Sequence, residues 1–225
     1  MLFVMRFFNT SQDVMNRSTG KTDQYERARI AMDLLANDLQ NLYYVEGFGD
    51  PVYFQNDTGS GDSKTTVNVS FLAIRPNKAG GATKTGLSWI TYHFDSSDYT
   101  LKTGIAGDEK TNRDSKWRAG HLTGDDLGVL ADGVYRFRIT PYTAAGDEIT
   151  PSTLASTSAG ARWIPDYVRI ELQLMDGETA ASIKQIKKVS GGSLPKALDP
   201  SDDDFEGKDK VRTFYRIVEI DRGQY

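Results

Sequence analysis

The sequence predicts an α+β protein in which a long N-terminal helix packs on antiparallel β-sheets, and three observations lead to this class. Apolar residues recur at steps of three and four over residues 23–43, which gives a helix one apolar face. From residue 66 onward, apolar and polar residues alternate in short segments, as is typical of strands with one buried face. No crossover helices separate these segments, so neighbouring strands are expected to pair antiparallel.

The predicted N-terminal helix is the element around which the rest of the chain is arranged. Its buried face is expected to consist of Tyr25, Ala28, Met32, Leu35, Leu39 and Leu42. Its exposed face is expected to consist of Glu26, Arg29, Asp33, Asn37 and Gln40. Ile30, Ala31 and Leu34 widen the apolar face, as expected for a helix that lies on a sheet. The stretch contains no Gly or Pro, and Thr22 or Asp23 can cap its start.

An almost wholly apolar segment occupies residues 1–8. It is far shorter than the roughly 20 residues that a helix needs to cross a bilayer. It also lacks the basic region and the cleavage site of a signal peptide. We interpret it as the end of a longer hydrophobic anchor, with an ordinary buried N-terminal turn as the alternative. The apolar spacing extends back through Val14, Phe7 and Val4, so one long kinked helix and two separate pieces both fit the sequence.

The alternating segments predict strands over residues 66–74, 87–94, 99–102, 134–142, 167–175 and 211–220. In the segment with the clearest alternation, the residues expected to face the core are Val168, Ile170, Leu172 and Leu174, and those expected to face solvent are Arg169, Glu171 and Gln173. Residues 127–131 are expected to form a short turn, and residues 180–189 fit either a helical turn or an edge strand. The stretches between these segments are predicted to be loops.

The composition excludes several kinds of chemistry. The 225 residues include no cysteine, so disulfide bonds, thiol catalysis and cysteine-bound zinc are ruled out. The only two histidines are His93 and His121, which are too few for a His-rich metal site. A net charge of −4 and a pI of about 5.3 give no electrostatic reason to expect nucleic-acid binding.

No catalytic motif is evident in the sequence. The Gly-Gly pairs at 80–81 and 191–192 are not followed by the Lys-Ser/Thr of a phosphate-binding loop. His93 is predicted on the outer face of a strand and is interpreted as a surface histidine. The acidic run over residues 199–206 lacks the residue order of an EF-hand and is interpreted as a solvated loop. The sequence therefore predicts no catalytic residue, no metal ligand and no cofactor.

Three segments of the chain share their order and spacing with a known family. They are residues 24–35 (Gln-Tyr-Glu-Arg-Ala-Arg-Ile-Ala-Met-Asp-Leu-Leu), residues 130–139 and residues 164–177. In that order they resemble the helix after the membrane anchor, a Leu-x-Gly-Val-x-x-Phe strand and a Leu-Pro-x-x-Val-x-Val-x-Leu strand. The family is that of type IV pilin-like proteins, specifically the J-type minor pseudopilins of type II secretion systems and the related Verru_Chthon cassette proteins. The family's basic leader, Gly-Phe cleavage site and Glu have no counterpart here, so the resemblance implies a truncated or wrongly assigned start.

The resemblance implies a structural subunit without an active site or a cofactor. It implies an anchor in the bacterial inner membrane, a periplasmic head, and other minor pseudopilins as partners. Residues 1–22 would be the remnant of the anchor helix and its continuation, and residues 23–225 would be a single globular head. The candidate partner-binding residues are Phe3, Val4, Phe7, Phe8, Val14 and Trp117.

Two other functions fit parts of the sequence. Trp117, in a charged and irregular stretch, is the best candidate for an exposed contact residue, and it could stack on a sugar in a secreted carbohydrate-binding or adhesin module. A hydrolase with an unrecognised carboxylate pair is the third possibility, although the sequence cannot nominate the pair. The carbohydrate-binding module predicts exposed coplanar aromatic rings, and the hydrolase predicts a deep pocket with two close carboxylates.

Overall fold

The computed structural model of the chain describes residues 2–43, 52–56, 66–74, 87–106, 126–149, 164–190, 194–195 and 206–220. Within these ranges, the side chains of residues 2–19, 52–56 and 206 are outside the description. The described residues form a long N-terminal helix, two antiparallel sheets and a second helix.

Helix α1 spans Leu2–Gln40 without interruption, so the two-piece alternative for the N-terminus is wrong. It ends three residues before the predicted boundary because the chain after it joins a sheet. Leu42 forms an isolated bridge with Ala73, and the Tyr43 amide donates to the Leu72 carbonyl at 2.8 Å. The Ile74 amide also donates to the Asn41 carbonyl at 3.0 Å. These bonds fix the end of α1 to the sheet.

The first sheet contains five strands in sequence order, each antiparallel to the next. They are β1 (Val52–Asn56), β2 (Thr66–Ile74), β3 (Leu87–Asp95), β4 (Thr100–Ala106) and β5 (Gly128–Asp132). Strand β1 was not predicted, and β4 is longer than its predicted segment. The predicted turn over residues 127–131 is wrong, because this segment pairs with β4 as an edge strand with a register shift.

The second sheet contains three antiparallel strands, also in sequence order. They are β6 (Val134–Tyr142), β7 (Tyr167–Met175) and β8 (Val211–Glu219), and a 3₁₀ helix (Glu206–Lys210) leads into β8. Helix α2 (Gly177–Val189) follows β7 and settles the ambiguity over residues 180–189. The Thr179 amide donates to the Asp176 carboxylate at 2.7 Å and this bond caps α2, so the stretch after β7 that was predicted to be a loop is the start of a helix.

The chain passes from the first sheet to the second through Gly133, which lies between β5 and β6. Its φ of +71° is unfavourable for residues with a side chain, and a Cβ here would lie 3.2 Å from the Cβ of Ala180. The Met175 amide donates to the Gly133 carbonyl at 2.8 Å, so α2 and both sheets converge at this point.

Among the described residues, the largest cluster of buried apolar side chains joins α1 to both sheets. The buried residues that α1 contributes are Ala28, Ala31, Met32, Leu35, Ala36 and Leu39. They share one cluster with residues of β2 and β3 and with Val168, Ile170, Leu172 and Leu174 of β7. The sheets are also linked by a hydrogen bond of 3.0 Å from the Ile139 amide to the Thr66 hydroxyl. The predicted α+β class, a long N-terminal helix packed on antiparallel sheets, is therefore confirmed.

Two side chains of α1 and one of β7 differ from their predicted environments. Tyr25 and Ile30 were expected on the apolar face of α1, yet each is 61% exposed. Tyr25 lies at the rim of that face, and Ile30 lies close to the exposed Glu26 and Asn37 in the helical repeat. Glu171 was expected to face solvent but is buried. Arg138 and Tyr215 flank it on the neighbouring strands, and the Gln173 amide donates to it at 2.8 Å.

Candidate partner-binding surface

Two buried polar side chains fix the position of α1 on the sheets. The Gln24 amide donates to the Leu174 carbonyl at 3.4 Å and to the Lys210 carbonyl at 3.3 Å. Near the other end of the packed stretch, the Tyr92 hydroxyl donates to the Asp38 carboxylate at 2.5 Å. Both α1 residues are buried, so these bonds satisfy groups that would otherwise be costly to remove from water.

Charged side chains hold the two flanks of α1. On one flank, Asp33 forms an ion pair with Arg216 of β8. On the other, Arg27 donates to the Asp132 carbonyl of β5 at 3.2 Å, and the Asp132 carboxylate pairs with Lys184 of α2. The helix is therefore attached to both sheets and to α2, and its direction relative to the head is fixed.

Two strongly exposed apolar side chains lie on β8, a strand that packs against α1. Tyr215 and Ile217 are 64% and 70% exposed, on the sheet face opposite to the one that contacts α1. On the helix side of the same strand, Phe214 packs edge-to-face against Tyr25, with ring centroids 5.3 Å apart. Strand β8 thus presents apolar side chains on both of its faces, beside the exposed rim of α1. Such a surface is suited to contact with another protein.

A charged pair stabilises the turn between β3 and β4. The Lys102 ammonium donates to the Asp95 carboxylate at 2.7 Å, and the Ser97 amide donates to the same carboxylate at 2.9 Å. Burial raises the pKa of Asp95, but these bonds outweigh it and bring the pKa to about 2. The bond to Asp95 raises the pKa of Lys102 against the opposing effect of burial. This pair has the geometry of a structural turn.

The side chains of the candidate partner-binding residues predicted from the sequence all lie outside the described part of the structure. Phe3, Val4, Phe7, Phe8 and Val14 all lie in α1, but in the part whose side chains are outside the description. Trp117 lies outside the described residues, and so do His121 and residues 199–205 of the acidic run. Their assignment to a partner surface stays a prediction. The carbohydrate-binding alternative, which depends on Trp117, also stays a prediction.

Sequence reasoning missed the contact features that the structure does describe. Nothing in the sequence distinguishes β8 from the other predicted strands, because its position at the edge of a sheet depends on the order of pairing. His93, expected at the surface, is half-buried, with its Nδ1 atom 2.6 Å from the Asn68 side-chain oxygen.

Among the described residues, no group of three or more histidines and acidic residues could hold a metal ion.

A search for membrane-spanning helices covered the described part of the chain and found none that is both long and apolar enough.

Comparisons with known proteins give a likeness in structure. No protein-family model matches the chain, and no curated protein matches it in sequence. Among solved structures, the chain is similar to the type IV-like pilin TTHA1219 from Thermus thermophilus, with 13% sequence identity and a TM-score of 0.46. The match covers 88% of this chain and 97% of that pilin.

Proposed function

We propose that this protein is a structural subunit of a type IV pilin-like assembly and that it acts by packing against other subunits, without catalysis. The observation that carries the proposal is the continuity of α1. The helix that buries one face against both sheets from Gln24 to Leu39 is the same helix that contains the apolar residues of positions 2–8. One rigid element therefore connects the head to a segment suited to helix packing.

The length of α1 supports this arrangement. At 1.5 Å per residue, its 39 residues extend for about 58 Å, whereas the stretch from Gln24 to Leu39 accounts for about 24 Å. A helix of this length can hold a head at a distance from the site where neighbouring helices pack together.

In its more specific form, the proposal is that the protein is a minor pseudopilin of the J type in a type II secretion system. Its α1 would pack with other pilin-like helices at the inner membrane, and its head would lie in the periplasm. The sequence resemblance described above supports this form, together with the position of its three segments in α1, β5–β6 and β7. The apolar residues Phe3, Val4, Phe7, Phe8 and Val14 are the proposed contacts of α1.

Cross-linking from single introduced cysteines tests the proposal, since the chain has no cysteine of its own. We expect the Phe7→Cys variant, produced from the complete gene in its native host, to form bismaleimide cross-links to pilin-like subunits, identified by mass spectrometry. The control is Val189→Cys at the end of α2, where the side chain is 83% exposed. Equal cross-linking of both variants, or cross-linking of Phe7→Cys to no pilin-like protein, would refute the proposal.

A further inference from the structure

Among the described strands, four lie at the edges of the two sheets, and one of these four has features that favour pairing with another strand. Natural edge strands are commonly protected by shortness, bulges or proline. Strands β1 and β5 have five residues each, and β5 also has a register shift against β4. Strand β6 contains Pro141 and a register shift after Val134. Among the described edges, these three are therefore poor sites for strand addition.

Strand β8 has none of these protections. Its nine residues pair with β7 along their whole length without a register shift, and the sequence Val211–Glu219 contains no glycine or proline. Within the described part of the chain, no strand pairs with its other edge. That edge carries backbone N–H and C=O groups suited to a further strand, and Tyr215 and Ile217 present exposed apolar side chains beside it.

The direction of α1 argues against a second copy of this chain as the added strand. Gln24 bonds to the carbonyl of Lys210, and Asp33 pairs with Arg216, so α1 runs in the same direction as β8. Antiparallel pairing of two β8 strands about a two-fold axis would therefore point the two α1 helices in opposite directions. Helices that pack together at one membrane need the same direction, so this step rests on the proposed function.

The charges along β8 indicate the chemistry of the partner. Lys208 and Lys210 of the preceding 3₁₀ helix and Arg212 at the start of the strand are exposed, with Asp209 as the one acidic residue among positions 208–212. Farther along, Arg216 is engaged by Asp33 of α1. The positive end of the edge is therefore next to the 3₁₀ helix, while the apolar side chains lie in the second half of the strand.

We propose that β8 is a strand-addition site for an extended segment of a neighbouring subunit in the assembly. The segment carries apolar side chains at alternate positions, which cover Tyr215 and Ile217. It carries acidic side chains at the end that lies beside Lys210 and Arg212. Main-chain hydrogen bonds supply the affinity, and the apolar and acidic contacts set the register.

A synthetic peptide tests this site on the complete protein. The probe is the end-blocked peptide Glu-Glu-Val-Thr-Val-Thr-Val-Thr-Val, compared with a peptide that has Lys-Lys at the same end and with one that has proline at its central position. At a free concentration of ten times its Kd, the acidic peptide should slow backbone amide exchange in β8 about tenfold, because exchange then proceeds only from the unbound fraction of about one in eleven. The basic and proline-containing peptides should bind at least tenfold more weakly.

Matched variants locate the contact. Ile217→Lys should weaken binding of the acidic peptide at least tenfold, whereas Val129→Lys should leave it unchanged. Val129 is a suitable control because it lies on the edge strand β5 and is 64% exposed, close to the value for Ile217. Slower amide exchange in β5 on addition of the acidic peptide, or equal binding of the acidic and basic peptides, would overturn the proposal.

A disulfide test separates the neighbouring subunit from a second copy. In an antiparallel pair of β8 strands centred on Arg216, Tyr215 of one copy lies opposite Ile217 of the other. A mixture of Tyr215→Cys and Ile217→Cys proteins should give no mixed disulfide above the level of unrelated exposed cysteines. Efficient formation of the mixed disulfide would overturn the choice of partner.

If α1 cross-links to pilin-like subunits and the peptide does not slow amide exchange in β8, the strand-addition site fails while the proposed function stands.

Discussion

The polar residues that hold α1 in place show what a buried side chain needs from distant parts of the chain. Asp38 lies 54 residues from Tyr92, and Gln24 lies 186 residues from Lys210. Helical spacing predicts the apolar residues of the buried face, because apolar burial depends on no particular partner. It cannot predict that a carboxylate is buried, since this depends on a donor placed by the tertiary fold.

Replacing Tyr92 by phenylalanine should destabilise the protein by about 1–3 kcal/mol. The change removes the hydroxyl that donates to Asp38 and leaves a buried carboxylate with one hydrogen bond fewer. Urea unfolding at neutral pH measures the difference. Tyr215→Phe is the matched control, and because Tyr215 is exposed, its effect should stay within about 0.5 kcal/mol. Equal stabilities of the two variants would show that the Tyr92–Asp38 bond contributes nothing measurable.

Asp95 should make folding stability depend on pH in the acidic range. Its pKa is about 2 in the folded protein and near the ordinary 3.8 when unfolded, so the unfolded chain takes up the proton first as the pH falls. The stabilisation is therefore complete above about pH 4 and is lost toward pH 2. Because the Asp95–Lys102 pair is partly exposed, solvent screening limits the effect to about 1 kcal/mol.

Urea unfolding at pH 5 and pH 2 checks this expectation. The stability difference between the native protein and Asp95→Asn should shrink by about 1 kcal/mol over that interval. Asp98→Asn removes another carboxylate of the same turn, one that is exposed, and is the matched control for the loss of a charge there. A constant difference between the native protein and Asp95→Asn would contradict the assigned role of the turn.

Secondary structure was predictable where local pattern and tertiary environment agree. The bounds of β2, β6 and β7 are those that alternation predicts, because each of these strands carries an apolar face that enters the core. Strand β5 was missed because its sequence has little alternation and its pairing with β4 depends on distant residues. Helix α2 was ambiguous because the pattern over residues 180–189 fits a helical turn and an edge strand alike, and the structure establishes the hydrogen bond by which Asp176 caps it.

The candidate site was less predictable than the fold for a topological reason. The sequence predicts that residues 211–220 form a strand, but it does not predict which strands end a sheet. Tyr215 and Ile217 alternate with Phe214 and Arg216 as in any strand of a sheet. Only the order of the three strands places them on an edge, where their exposure gives the surface a possible function.

At the scale of the whole molecule, α1 makes the two sheets energetically dependent on each other. Its buried face belongs to the same cluster as Ile90 of β3 and Ile170 of β7. Opening either sheet alone would expose that face to water, at a cost of roughly 25 cal/mol for each Å² of apolar surface. The bond between Ile139 and Thr66 adds a direct link. The head should therefore unfold as one cooperative unit.

Native-state hydrogen exchange can measure this cooperativity directly. The amides of Ile90 and Ile170 should exchange through the same global opening, with free energies that agree within about 0.5 kcal/mol. The amide of Val189, in the last turn of α2, should exchange by local fraying with a much lower free energy. If the two core amides differ by more than about 1 kcal/mol, the sheets open separately. In that case α1 would belong to one sheet alone, and a force applied through the helix would reach only that part of the head.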